Sequence, residues 1–158
     1  MGVSQLGYLV LDVADIAAWR DLAANIIGAE ERHDEGADLV RLRFDEHHHR
    51  ITLHAAKTDS IVAIGWEVPS LRELESVRRK VSEQGFSVTE GTSEDLADRK
   101  VEALFRFRDM DGVPLEIYYG PWTDDVPFRP SRPMSGFNCG SLGLGHVVLV
   151  TEKPRISW

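Results

Sequence analysis

The sequence predicts an α+β fold. Two modules, each running strand, helix, strand, hairpin, strand, should join into one curved mixed sheet with helices outside and a concave interior. Three observations predict it. Residues 6–55 and residues 61–119 repeat the same element order. Each half opens with a glycine in an apolar strand, Leu6-Gly-Tyr-Leu-Val and Ile64-Gly-Trp-Glu-Val. Neither half carries enough apolar face to close a core alone, so two halves packed around one core is the economical solution.

The elements follow in order. Residues 6–13 are mostly apolar and read as a strand. Asp15 can cap the next segment, because its carboxylate can accept the free amides of a first helical turn. Ile16, Trp19, Leu22, Ala23 and Ile26 recur at helical spacing, and Gly28 can end that helix. Residues 30–37 are charged and read as a loop. Residues 39–44 alternate, with Leu39, Arg41 and Arg43 on one side and Val40, Leu42 and Phe44 on the other, the pattern of a half-buried strand. Residues 45–49 read as a polar turn and 51–55 as the returning strand.

The second module starts with a strand over 61–68. Ser70 with Glu73 three residues on is the pattern of a helix start, Leu71, Leu74, Val77, Arg78 and Val81 face inward, and Gly85 stops the helix. Residues 86–88 read as a short strand. Residues 92–98 read as a helical turn capped by Thr92 or Ser93. Residues 101–107 alternate, with Ala103, Phe105 and Phe107 on one side. Asp109-Met-Asp-Gly112 is a tight turn, and 115–119 returns as a strand. Glycines at 136, 140, 143 and 145 then lead to the short apolar run 146–150, which reads as the first strand of a new unit. The expected organisation is one domain over 1–120, a linker over 121–143 and the truncated start of a second domain over 144–158. The stretch from about Ser135 is expected to be disordered or to dock on another copy.

Composition excludes several functions. The 158 residues carry a formal net charge of -8, which disfavours nucleic acid and anionic membranes as partners. No apolar stretch approaches the roughly 20 residues of a membrane span, and the N-terminus lacks the basic region of a signal peptide. The single cysteine, Cys139, forms no internal disulfide, so a cytoplasmic location is expected.

Candidate residues are few. His47-His-His49 invites a metal, since histidine tracts bind them, but its place on a hairpin turn favours a surface tract with adventitious affinity for nickel or zinc. His33 and His54 are isolated, His54 with Phe44 nearby. Trp19 and Trp66 lie on apolar faces and read as core or interface. Cys139 has no partner base and reads as a linker thiol. The glycines of 136–145 lack the setting of a phosphate loop.

Several stretches together resemble a known family. Leu6-Gly-Tyr-Leu with Ala17-Ala-Trp-Arg20, Gly65-Trp-Glu-Val68, Glu94-Asp-Leu-Ala-Asp-Arg-Lys-Val101, Asp111-Gly112, Pro114-Leu-Glu-Ile-Tyr-Tyr-Gly120 and Gly143-Leu-Gly-His-Val-Val148 are similar to the N-terminal domain of extradiol ring-cleavage dioxygenases of the 2,3-dihydroxybiphenyl 1,2-dioxygenase type, followed by the first strand of their catalytic domain. These belong to the vicinal oxygen chelate superfamily, built from βαβββ modules. The resemblance implies two domains of two modules each. The first does no chemistry, and the second holds Fe(II) on two histidines and one glutamate.

His146 matches the first of those metal ligands, and the others are expected beyond residue 158. One imidazole cannot hold the metal, so this chain is expected to bind no iron specifically and to be inactive alone. Tyr8 stands where His146 stands in the next module, and its phenol can fill the cup. Glu116 matches a vestigial ligand position and reads as structural. For an intact protein the resemblance implies meta-cleavage of a biphenyl-2,3-diol-like catechol in aromatic catabolism. O2 is the co-substrate, both its atoms enter the product, and the assembly is a homo-oligomer. The tail 152–158 departs from the family, as a premature stop, a frameshift or a partial gene would produce. The rival expectation is a stand-alone binding protein of the same fold for a small hydrophobic or aromatic ligand. A glyoxalase-like metalloenzyme is weaker, because Tyr8 replaces a first-strand ligand.

Overall fold

The computed structural model describes residues 2–32 and 36–150. Eight strands form one open mixed sheet: β1 (Gln5–Val13), β2 (Glu30–Arg32), β3 (Leu39–Arg43), β4 (Ile51–Ala55), β5 (Ser60–Glu67), β6 (Thr89–Glu90), β7 (Val101–Arg108) and β8 (Pro114–Pro121). Their order is β2-β3-β4-β1-β5-β8-β7-β6, so each module lays its strands out in the mirror sequence of the other. β1 runs parallel to β4, β5 parallel to β8, and the modules meet where β1 and β5 pair antiparallel. The predicted α+β repeat of two βαβββ modules is this arrangement.

α1 and α2 cover one face, and α3 packs its Leu96 on the other, against Tyr8, Val10, Leu104 and Tyr118. α1 (Ile16–Asp21) is capped by Asp15, which accepts from the Ala18 amide at 2.9 Å, and passes into a π-helical turn over Leu22–Ile27 that ends at Gly28. α2 (Leu71–Glu83) starts at Ser70, whose hydroxyl accepts from the Glu73 amide. α3 (Ser93–Arg99) opens with a reciprocal Thr92–Asp95 capping box. No described helix is long and apolar enough to cross a membrane. Under α1 lie Val13, Ala23, Val40, Leu42, Phe44 and Leu53; under α2 lie Val68, Leu74, Phe105 and Ile117. Strand alternation sends the other set of side chains to the opposite, inner face.

The structure departs from the sequence reading in several places. Residues 86–88 are not a strand: Phe86 packs on Phe107 with ring centroids 5.7 Å apart, and the edge strand is β6, just after them. Residues 30–32, expected in a loop, pair with β3. The polar side of β3 is not solvated, since Arg41 and Arg43 are buried. The Arg41 guanidinium reaches Asp98 at 2.6 Å, and that of Arg43 bonds the Asp45 carbonyl at 2.9 Å.

The segment after residue 121 is not a free linker. The Trp122 amide bonds the Lys100 carbonyl, and the Asp124 amide bonds that of Glu46. The Ser131 hydroxyl and the Arg132 guanidinium satisfy the carbonyls of Ala24 and Ile26 in the π-turn. Phe137 packs on Phe44 at 5.0 Å, and Cys139 joins the core under α1. Gly143 bridges Leu6, and the Leu144 amide bonds the Leu6 carbonyl at 3.0 Å. A Cβ on Gly143 would stand 2.2 Å from that carbonyl oxygen, at φ +60, so only glycine fits. The expectation that the stretch from Ser135 is disordered or docks on another copy is thereby overturned as far as Leu144. Residues 146–150 form no strand. No described strand pairs with them, a lone strand has no ladder for its amides, and Val150 is 99% exposed. His33 and residues 151–158 lie outside the described residues.

Candidate functional site

The inner face joins a polar assembly to an apolar cluster, in which Val10, Ala63, Val101 and Leu104 pack with Tyr8 and Tyr118. At its centre Tyr8 of β1 and Tyr118 of β8 stack at 4.8 Å. Each ring lies over a glycine of the other module. A Cβ on Gly65 would fall 2.4 Å from the Tyr8 ring, and one on Gly7 would fall 1.7 Å from the Tyr118 hydroxyl. This is the physical reason for the repeated glycine near the start of each half: the backbone must leave room for the opposing tyrosine.

The two hydroxyls lead to two carboxylates. Tyr8 donates to Glu116 Oε2 at 2.5 Å, and Tyr118 donates to Glu67 Oε2 at 3.1 Å. Arg99, delivered by the end of α3, donates from Nε to Glu116 Oε2 at 2.9 Å and from Nη2 to Oε1 at 3.3 Å. Both oxygens of Glu116 are therefore engaged. Burial, with the Glu116 carboxylate beside it, pushes the Tyr8 phenol well up. Burial and the Glu67 carboxylate raise Tyr118 likewise. Both phenols stay protonated as donors. Burial alone would lower Arg99, but the Glu116 carboxylate raises it.

On the first module's side sits a second buried pair. Arg50 has no exposed surface. It donates to Asp45 from Nε at 3.0 and 3.1 Å and from Nη2 at 2.5 Å, and from Nη1 to the Gly7 carbonyl at 3.1 Å. Desolvation would raise Asp45, yet His47 and Arg50 hold its carboxyl far below the usual carboxylate range. The His47 imidazole lies between carboxylates, Nδ1 3.4 Å from Asp45 Oδ1 and Nε2 3.9 Å from Glu67 Oε2. Burial would lower it, and those two carboxylates raise it instead. His49 is buried, and burial followed by the positive charge of Arg41 drives it well below the imidazole range.

The histidine tract thus differs from the sequence expectation: His47 and His49 are buried, not on a solvated turn. Asp45, Glu46 and His47 form a cluster compatible with a metal ion, their donor atoms all within 4.8 Å. His54 faces Asp12 at 3.5 Å, away from the core. Cys139 is buried as well, and burial pushes its thiol up, which suits a core residue and not a nucleophile. His146 is exposed and, among the described residues, belongs to no trio of metal donors. Sequence reasoning missed Arg50 and Arg99. Nothing local marks either arginine as buried, whereas the alternation of β3 carried a signal that a polar face was being kept.

The centre of the inner face does not fit Fe(II). Tyr8 occupies the first-strand position, Glu116 is saturated by Tyr8 and Arg99, and the guanidinium groups of Arg50 and Arg99 already supply the positive charge. An open cleft of about 450 Å³ remains beside it, lined by Val62, Thr89, Arg99, Arg106, Arg108 and Glu116 among others.

The comparisons agree on one group of proteins. The family model for dihydroxybiphenyl dioxygenase BphC D1 matches residues 6–55. The chain is 40% identical over 151 residues to a biphenyl-2,3-diol 1,2-dioxygenase of Sphingomonas paucimobilis, covering 94% of this chain and 50% of that protein. It is 41% identical over 149 residues to a 1,2-dihydroxynaphthalene dioxygenase of Sphingobium xenophagum, covering 93% and 50%. Among solved structures, a catechol 2,3-dioxygenase superposes with a TM-score of 0.91 at 39% identity, over 97% of this chain and 55% of that one. The chain spans about half the length of the curated relatives it matches. In sequence and in fold, this chain belongs to the extradiol ring-cleavage dioxygenases of the vicinal oxygen chelate superfamily, biphenyl/catechol type, and corresponds to part of their length.

Proposed function

We propose that these residues are the non-catalytic scaffold half of an Fe(II)-dependent extradiol dioxygenase. The whole protein opens the ring of a biphenyl-2,3-diol-like catechol with O2, and the 158-residue chain alone does not. The observation that carries this reading is the closed Tyr8–Glu116–Arg99 centre, where a phenol and a guanidinium occupy the room and charge a metal would need. His146 supplies the first iron ligand of the adjoining catalytic domain, and the remaining ligands come from outside residues 1–158. Residues 1–120 are the scaffold proper, 121–143 fasten the next domain to it, and 144–158 open that domain. In the same reading the protein is a cytoplasmic homo-oligomer, with Ile26, Trp122 and Val126 as exposed apolar contacts.

The test is a chimera. Residues 1–150 are joined to the unmatched half of the Sphingomonas paucimobilis relative, so that His146 replaces that protein's own residue. The expected result is bound iron and formation of yellow ring-opened product from 2,3-dihydroxybiphenyl, both lost in His146→Ala. Retention of iron and turnover in His146→Ala would overturn the ligand assignment. A second reading, a stand-alone binding protein for a small aromatic ligand, is favoured by the 450 Å³ cleft. Saturable binding of 2,3-dihydroxybiphenyl to the chain, lost in Arg108→Ala, would select it.

A further inference from the structure

Leu6-Gly-Tyr8 and Leu144-Gly-His146 are one motif written twice, and the backbone joins the two copies. Gly143 pairs parallel with Leu6, and the Leu144 amide donates to the Leu6 carbonyl at 3.0 Å. β5 occupies one side of Leu6 through Trp66, and on the other side β4 starts only opposite Leu9. A carbonyl inside a sheet needs a donor, and the 143–144 backbone supplies it where β4 does not reach. The returning chain therefore extends the sheet at one fixed register.

The contact leaves no play. Gly143 is buried, although residues 140–142 before it and 145–146 after it are exposed. Its φ of 60 and ψ of -127 lie outside the regions open to residues with a side chain. A Cβ there would stand 2.2 Å from the Leu6 carbonyl oxygen and 2.6 Å from Gln5 Oε1. The first is backbone and cannot swing aside. The second is pinned, because Gln5 Nε2 donates to Glu67 Oε2 at 2.8 Å. Only Gly145 then separates Leu144 from His146, and its amide donates to the Leu142 carbonyl at 3.0 Å. A closed turn, not a slack linker, carries the chain from the bridge to the imidazole.

We propose that Gly143 is a positioning residue. Its bridge to Leu6 fixes the point at which the segment bearing His146 leaves the scaffold, so β1 of the first module sets the place of that imidazole. This rests on the reading of His146 as a ligand of the adjoining domain. It gives the non-catalytic half a defined part in building the metal centre, acting through the backbone and not through a side chain.

The test uses the chimera described above. Iron affinity is read by competition with a chelator, and ligand geometry by the visible absorption of the Co²⁺-loaded protein. Gly143→Ala is expected to keep the hydrogen-exchange protection of β3 and β4, to weaken iron by at least about tenfold and to change the Co²⁺ bands. Two insertions supply a second measurement. One glycine added between the exposed Gly140 and Ser141, before the bridge, leaves iron affinity unchanged. One added between Leu144 and Gly145, after it, weakens iron as Gly143→Ala does. Full affinity in Gly143→Ala, or equal effects of the two insertions, would overturn the proposal while His146→Ala still loses iron. Iron retained in His146→Ala would overturn the ligand reading and this inference with it. In the 158-residue chain, without iron, the Leu144 amide should exchange slowly and Gly143→Ala should speed it. Fast exchange of that amide in the unaltered chain would overturn the bridge itself.

Discussion

The two modules share an element order and a mirrored place in the sheet, but they close their cores differently. The second is self-sufficient. Its 13-residue α2 lays Leu74, Val77 and Val81 over Phe105 and Ile117, and Val88 and Phe107 finish the layer, all from within residues 60–121. The first has only the six residues of α1 and a π-turn, and the layer beneath is completed by Phe137, Cys139 and Leu144 from beyond β8. A shorter helix leaves apolar surface uncovered, and a later segment covers it. A glycine- and proline-rich stretch that reads as a linker is thus part of the first module's core.

The polar faces differ in the same direction, and the largest expected effect tests that. Arg50 in the first module is wholly buried and bonds both oxygens of Asp45 and the Gly7 carbonyl, whereas Arg99 in the second is 9% exposed and shares Glu116 with the Tyr8 hydroxyl. Arg50→Met should cost about 3–5 kcal/mol, the range for stranding a buried charge, and Arg99→Met should cost less. Urea denaturation measures both, and the pair Asp45→Asn with Arg50→Met should recover much of the loss. Equal costs for the two single variants would remove the asymmetry.

On the apolar side, Phe137→Ala should cost about 2 kcal/mol and Val81→Ala about 1 kcal/mol. The sharper reading is spatial. Phe137→Ala should speed hydrogen exchange in β3 and β4 while β7 and β8 stay protected. Thr92→Ala, which removes the cap of α3, should cost about 1 kcal/mol and loosen Arg99 together with the Asp98 contact to Arg41.

The smallest expected effects come with pH. Asp45 and Glu67 have carboxyls held below their ordinary range, so their stabilisation is present at neutral pH and is lost as pH falls through those lowered values. His49, held neutral, contributes above the ordinary imidazole range and loses that contribution on acidification. His47 runs the other way: its contribution is complete below the ordinary imidazole range and fades as pH rises through its raised value. The stability of His47→Gln should therefore approach that of the native chain as pH rises from 6 to 9, and a constant gap would contradict the assignment.

The repeat, the caps at Asp15, Ser70 and Thr92, and the Asp109–Gly112 turn were legible because each is local: periodicity, a short polar side chain, a turn with Gly112 at φ +83. Tyr8 and Glu116 were legible as occupants of vestigial positions. Burial of Arg50, Arg99 and His47 was not, because it depends on residues 43 or more apart for Arg50 and Gly7, and 20 apart for His47 and Glu67. The returning segment was missed for the opposite reason. Its glycines signal flexibility in isolation, but Gly143 is needed for close approach to Leu6.

The most direct test of the central claim is a ring-cleavage assay on the 158-residue chain. The purified chain is loaded anaerobically with Fe(II) and given 2,3-dihydroxybiphenyl and then oxygen. A closed Tyr8–Glu116–Arg99 centre predicts no oxygen uptake and no yellow product above the rate of free Fe(II). Sustained formation of ring-opened product, abolished by Glu116→Gln, would contradict it and make the inner face an active site.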